Sequence, residues 1–206
     1  MHVQVLNYTR EPLDTISIAA GTCYGNPDFS PRRVYNCIVS GHHSVLEHAS
    51  ATFEVAGISR ACSHQLVRHR LASYSQESQR YCRYDLEGDE WYVVPETLDG
   101  DALWNFHMQM GFASQSYHDL LEAGVKPEDA RYLLPEATKT AIVVTMNARE
   151  LFHFFDLRQS KRSQWEIREL AEKMEEALMD IPGWKLLLEY RKEAIEERNK
   201  MQELSF

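Results

Sequence analysis

From Asn147 to its last residues the chain is written almost entirely in a helical period, and this stretch constrains the fold more than any other. NARELFHFFDLR opens it. SQWEIRELAEKMEEAL follows with Ile167, Leu170, Ala171, Met174 and Leu178 on one side, and a charged amphipathic stretch comes after Pro182-Gly183. Phe152, Phe154 and Phe155 with Trp165 read as core, because large aromatics dominate buried interiors. The Glu- and Lys-rich end, EYRKEAIEERNKMQEL, reads as a solvated helix. Just upstream, TKTAIVVTM is rich in β-branched residues and reads as a strand.

The first two thirds of the chain supply the remaining elements. HVQVL at 2 to 6 alternates as a strand does, and PLDTISIAAGTCYG reads as a helix opened by Pro12 and closed near Gly21 or Gly25. SPRRVYNCIVSG has Ser30 as N-cap, Pro31 at the first helical position and Gly41 past the end. In SATFEVAGIS, Thr52, Glu54 and Ala56 alternate with Phe53, Val55 and Gly57, the mark of a half-buried strand, which leads directly into a charged cluster. Residues 101 to 123 place Leu103, Phe106, Met110, Ala113, Tyr117 and Leu120 on one helical face ending at Gly124, and Pro127 starts another helix. With 206 residues, 44% of them apolar, and no Pro/Gly/Ser-rich linker, residues 1–206 are expected to form a single domain. Its class is α+β, helix-rich in the C-terminal half, with three or four strands whose order the pattern leaves open.

A formal charge of -9 argues against a generally basic surface seeking nucleic acid or anionic lipid, so any anion site has to be local. Cys23, Cys37, Cys62 and Cys82 match neither a CxxC pair nor a zinc ribbon, which suits reduced thiols in a cytoplasmic protein. MHVQVLNYTREPLD lacks the basic and apolar regions of a signal peptide, and no apolar run approaches the roughly 18 residues of a membrane span.

The local anion site announces itself in RHRLASYSQESQRY, residues 68 to 81. From Ser59 to Tyr84 five Arg (60, 68, 70, 80, 83) face one acid, Glu77, so the window carries +4 and the remainder -13. Such a cluster requires either a salt-bridge network with carboxylates elsewhere or a bound anion. Between the cations stand Ser73, Tyr74, Ser75, Gln76, Ser78, Gln79 and Tyr81, and guanidinium forks interleaved with hydroxyls and amides suit a phosphate and a polar heterocycle. In an extended segment Arg68 and Arg70 point to one side and His69 to the other, which one helix could not arrange. No GxGxxG and no GxxxxGK[ST] is present, so phosphate has to be held by side-chain charge.

This stretch resembles the signature of the flavin-dependent thymidylate synthases: RHR, about seven residues, then Ser-x-Arg, here Arg68-His69-Arg70 with Ser78 and Arg80. HHSVLEH (42 to 48), ARYLLP (130 to 135), NAREL (147 to 151) and LR…SQWEIR (157 to 168) resemble other segments of the same family. The resemblance implies conversion of dUMP to dTMP with 5,10-methylenetetrahydrofolate as carbon donor, FAD as redox carrier and NAD(P)H as reductant. It further implies a homotetramer with shared active sites around a compact mixed or antiparallel sheet flanked by helices. Carried over by position, Gln65, Leu66, Val67, Arg68, Gln76, Glu77, Ser78, Gln79 and Arg80 would lie along the nucleotide, with Arg131 and Arg158 completing that site. Arg158 would be catalytic, stabilising negative charge that develops on the pyrimidine. Ser44, Arg68, His69, Arg70, Gln76, Asn147, Ala148, Arg149 and His153 resemble FAD-binding positions, with His42 near flavin and folate. Gln76, where many members have Glu, and Arg162, where His is frequent, depart from the family pattern.

No cysteine sits at a family catalytic position. Cys82, beside the motif, reads as a partly buried inert thiol, and Ser78, which no Ser-His-Asp pattern supports, as a phosphate-binding hydroxyl. Other readings of these residues exist. His42, His43, Glu47 and His48 suggest a metal, but HxxEH would need His where Ser44 stands, so no metal is expected. Tyr74, Tyr81 and Tyr84 beside the arginines suggest a nucleic-acid module, against which the acidic total argues. Arg60 and Arg83 are expected merely to pair with carboxylates.

Overall fold

The strand expected in TKTAIVVTM is the one on which the sheet is built. A computed structural model describes residues 1–82, 84 and 86–203 and the side chains through 200; Arg83, whose pairing was anticipated above, lies outside the described residues, as does the end of the last acidic stretch. Strands β1 (His2–Tyr8), β2 (Ser50–Ser59), β3 (Ala72–Gln76) and β4 (Lys139–Asn147) form one sheet in the order β1-β2-β4-β3. The Thr9 N–H reaches the Ser50 carbonyl, the Ala148 N–H the Ala49 carbonyl and the Arg60 N–H the Thr138 carbonyl, so the end of each strand meets the start of its neighbour, an antiparallel register. Along β4, Thr140, Ile142, Val144 and Met146 are buried while their neighbours are half-buried, which is the period of two.

The helices are α1 (Pro12–Thr22), α2 (Pro31–Val39), α3 (Arg60–Leu66), α4 (Gly100–Glu122), α5 (Pro127–Ala130), α6 (Ala148–Arg158), α7 (Trp165–Met179) and α8 (Pro182–Glu203), with 3-10 turns at His43–His48 and Arg131–Leu133. The chain gathers into two compact units, and no helix among the described residues is long and apolar enough to cross a membrane.

One unit comprises Met1–His2, Val55–Arg68 and Ser75–Ile142. Its core joins Leu86, Trp91, Tyr92, Met110, Tyr117 and Ala130, and the face expected on α4 is the one that packs, with Phe106, Ala113 and Leu120 partly buried against it. The opposite face of α4 leaves Trp104, Met108 and Phe112 exposed by 66%, 40% and 60%. The sheet does not lead straight into the charged cluster: α3 intervenes, started by Ser59, whose hydroxyl accepts the Cys62 N–H.

The other unit comprises Val3–Glu54, His69–Tyr74 and the chain from Val143 on. Here α1, α2, α6, α7 and α8 pack together around Ile16, Ile38, Phe154, Phe155, Leu170 and Trp184, all fully buried. Truncating Phe154 or Phe155 to Ala would cost about 3–5 kcal/mol each. Trp165, expected in this core, is only half-buried at the start of α7. Ser30 stands at the N-cap of α2, yet its side chain caps nothing; its N–H donates to Ser17 Oγ at 2.8 Å and its carbonyl accepts from the same hydroxyl. Gly21 has no substitute, because a Cβ there would sit 2.1 Å from the Asn26 carbonyl oxygen and 2.3 Å from the Arg33 guanidinium.

Arg191 of α8 ties three helices. It is 5% exposed, donates to Glu175 of α7 at 3.1 Å and to Asp156 of α6, and lies over the rings of Phe152 and Phe155.

Candidate functional site

Helix α6 is where the chemistry-bearing side chains converge. Asn147 caps it, its Oδ1 accepting the Glu150 N–H at 2.9 Å, so the residue read as a ligand contact also starts the helix. Glu150, Phe154 and Arg158 recur every four residues and therefore share one stripe of α6. Against that stripe lies His69, 3% exposed. Its Nδ1 is 3.0 Å from Glu150 Oε1, the Arg158 Nε–H donates to its Nε2 at 3.0 Å, and the Phe154 ring packs edge-on at 4.9 Å between centroids. The Tyr74 hydroxyl donates to the His69 carbonyl at 2.7 Å.

These contacts fix the charge of the imidazole. A guanidinium only donates, so Nε2 has to be the unprotonated acceptor and Nδ1–H the donor to Glu150: His69 is neutral. Burial pushes its pKa below the ordinary range, and the nearby Arg158 and His153 charges push the same way, against the opposing pull of Glu150. His69, Glu150 and His153 also bring three potential metal-ligating atoms within 4.8 Å of one another. With both nitrogens of His69 engaged, Nδ1 by Glu150 and Nε2 by Arg158, these residues read as a hydrogen-bond chain from Glu150 through His69 to Arg158. The His42, His43, Glu47 and His48 run behaves differently from a ligand cluster: Glu47 pairs with Arg149, and His43 Nε2 faces the Ile38 carbonyl at 3.2 Å.

Of the other positions matched to FAD, Ser44, Arg70, Arg149 and His153 are exposed, as is His42, Ala148 is buried and Asn147 half-buried. All of these lie in the same unit as His69. Arg68, His69 and Arg70 are exposed, buried and exposed, but Arg68 stands in the turn that ends α3, its N–H bonding to the Gln65 carbonyl at 3.3 Å, so the run is not extended at its first residue as expected.

Nucleotide-matched positions other than Arg158 fall in the first unit. Gln76, at the end of β3, donates from Nε2 to Ser63 Oγ at 2.8 Å and to Thr140 Oγ1 at 3.3 Å. Leu66 is fully buried, so only its backbone can face a ligand, whereas Val67, Arg68, Glu77 and Arg80 are exposed and Gln65, Ser78, Gln79 and Arg131 half-buried. Ser78 Oγ accepts the Arg80 N–H at 3.2 Å. Two of the arginines meet at α5: Arg80 Nε donates to the Glu128 carboxylate at 2.6 Å, and Arg131 Nε to the Glu128 carbonyl at 3.0 Å. Glu128 is thus the internal anion of this cluster, a residue that sequence reasoning passed over. Among the described residues, Arg60 bonds to the Glu77 backbone carbonyl at 2.8 Å. Cys82 is exposed, not partly buried, and Arg162 is also exposed.

Glu150 is the other residue missed. NARE places it where a capping acid belongs, so a surface role satisfies the pattern. The signal available was its spacing of four and eight from Phe154 and Arg158.

Comparison with known proteins bears on this arrangement. Residues 4–182 match the family model described as thymidylate synthase complementing protein. The flavin-dependent thymidylate synthase of Pyrococcus abyssi is 44% identical over 192 residues, covering 86% of this chain and 79% of that protein. That of Geobacter sulfurreducens is 46% identical over 187 residues, covering 84% and 80%. Among solved structures, the flavin-dependent thymidylate synthase of Helicobacter pylori complexed with FAD and dUMP superposes with a TM-score of 0.72 at 30% identity, covering 86% of this chain and 94% of that one.

Proposed function

Because the chain belongs to the family of flavin-dependent thymidylate synthases, we propose that it converts dUMP to dTMP, taking its carbon from 5,10-methylenetetrahydrofolate and its electrons from NAD(P)H through FAD. The observation that carries this reading is the held guanidinium of Arg158, a half-buried cation whose Nε is anchored on a neutral imidazole. With Nε fixed, the remaining donors of the fork have a set direction. Placed against a uracil ring, they stabilise the negative charge that develops as the base becomes a nucleophile.

The phosphate end of dUMP is assigned to Arg80, Arg131 and Ser78, supported by two guanidinium groups that both bond to Glu128, Arg80 to its carboxylate and Arg131 to its backbone carbonyl. Gln65, Leu66, Val67, Arg68, Gln76, Glu77 and Gln79 are assigned along the nucleotide. For the cofactor, the donor set fits: Arg70, Arg149, Ser44 and His153 present two guanidiniums, a hydroxyl and an imidazole at exposed positions, and His42, His69, Asn147, Ala148, Arg68 and Gln76 are assigned with them. When bound, FAD supplies redox chemistry that no side chain can provide. No thiol needs to add to the base: Cys62 is buried, and none of Cys23, Cys37 and Cys82 bonds to any member of the His69 chain. Free thiols also suit a cytoplasmic setting. Residues 1–206 are taken to act as one domain, assembled as a homotetramer; the exposed Trp104, Met108 and Phe112 support self-association.

The test is dTMP formation from dUMP, methylenetetrahydrofolate and NAD(P)H by the purified yellow protein. Arg158→Ala is expected to lose about 100- to 1,000-fold in turnover while keeping its flavin. Normal turnover in that variant removes Arg158 from the mechanism, and a stable protein–uridylate adduct formed during turnover overturns activation without a nucleophile.

A further inference from the structure

We propose that Glu150 is a positioning residue that acts on Arg158 through His69, holding the imidazole in the one tautomer able to receive the guanidinium. The proposal rests on the thymidylate synthase reading for Arg158's task, and on the geometry alone for Glu150's.

Glu150 is 4% exposed and its carboxylate lies 3.0 Å from His69 Nδ1. A buried carboxylate is costly unless it meets donors, and here the donor facing it is the imidazole N–H. That bond keeps the proton on Nδ1 and leaves the Nε2 lone pair to take the Arg158 Nε–H at 3.0 Å. If the proton moved to Nε2, two N–H groups would point at each other and Arg158 would lose this hydrogen bond. The restraints on His69 all serve the same orientation: Phe154 packs against its ring and Tyr74 holds its carbonyl. Glu150 and Arg158 lie about 12 Å apart along α6, at about 1.5 Å per residue, so the ring bridges two turns that could not otherwise meet.

The experiment compares Glu150→Ala and Glu150→Gln in the flavin-loaded protein. Gln keeps an oxygen that accepts the Nδ1–H, and Ala does not. Glu150→Ala is expected to lower kcat about 10- to 100-fold with KM for dUMP and flavin content little changed, the signature of misplacement felt in the transition state. Glu150→Gln is expected to restore most of kcat. In the Arg158→Ala background Glu150→Ala should cost nothing further, because the effect passes through the residue already removed. Nitrogen-15 NMR of labelled histidine is expected to show His69 protonated at Nδ1 in the wild type and not held so in Glu150→Ala. Multiplying losses in the double variant, or a wild-type His69 protonated at Nε2, overturn the proposal. Should Glu150→Ala not fold, the Gln variant and the wild-type spectrum decide. A wild-type protein that forms no dTMP sinks the functional reading instead, and the spectrum still judges the hydrogen-bond chain.

Discussion

At the scale of single residues, the charge states of two buried or half-buried groups carry the site. His69 is neutral when folded and its pKa lies below the unfolded value of about 6.5. The unfolded chain therefore binds this proton first as pH falls, so the contribution of His69 to stability is fully present above about pH 6.5 and is lost as pH falls toward the folded pKa. Urea melts between pH 7 and pH 5 are expected to show that decline, and His69→Gln is expected to flatten it. Glu128 offers a second measurement. It lies in the cluster as an acid paired with Arg80, the pair being 55% and 31% exposed, so an incoming phosphate has to compete with it. Glu128→Gln is expected to tighten dUMP binding by a few-fold, about 1 kcal/mol or less, read by calorimetry; weaker binding would show that Glu128 orients the arginines instead.

At the scale of elements, α6 is gripped from two sides, by His69 on one stripe and by Arg191 on another. Arg191→Ala removes the buried partner of Glu175, which keeps Lys192 at 3.6 Å and Gln159 at 2.9 Å, and is expected to cost about 1–3 kcal/mol in thermal or urea unfolding. Gly21→Ala is expected to destabilise by about 1–3 kcal/mol or more, since backbone at Asn26 has to move. Which elements the sequence disclosed follows from the same physics. β2, β4, α4, α6 and α7 each bury one face over several periods, so alternation or helical spacing revealed them. α3 was passed over because seven residues, RACSHQL, bury only Cys62, Ser63 and Leu66, too few to set a period; the Ser59 cap was its one local signal. β3, ASYSQ, has no β-branched residue and owes its strand form to pairing, as in the Glu77 N–H bond to the Ala141 carbonyl. The arginines and hydroxyls of the site were legible as types, whereas Glu150, the partner of His69, and Glu128, the partner of Arg80, both placed by tertiary contact, were not.

At the scale of the whole molecule, an acidic chain concentrates +4 between Ser59 and Tyr84 and exposes an apolar stripe on α4. Trp104→Glu with Phe112→Glu is expected to shift the protein to smaller species in analytical ultracentrifugation while leaving its circular dichroism unchanged, because neither side chain belongs to the core. An unaltered sedimentation coefficient would place the assembly contacts elsewhere. The His69 chain has its own bearing on the molecule's outward field. An uncharged ring standing between an acid and a guanidinium works as an insulating spacer: it hands orientation from Glu150 to Arg158 while adding no formal charge of its own.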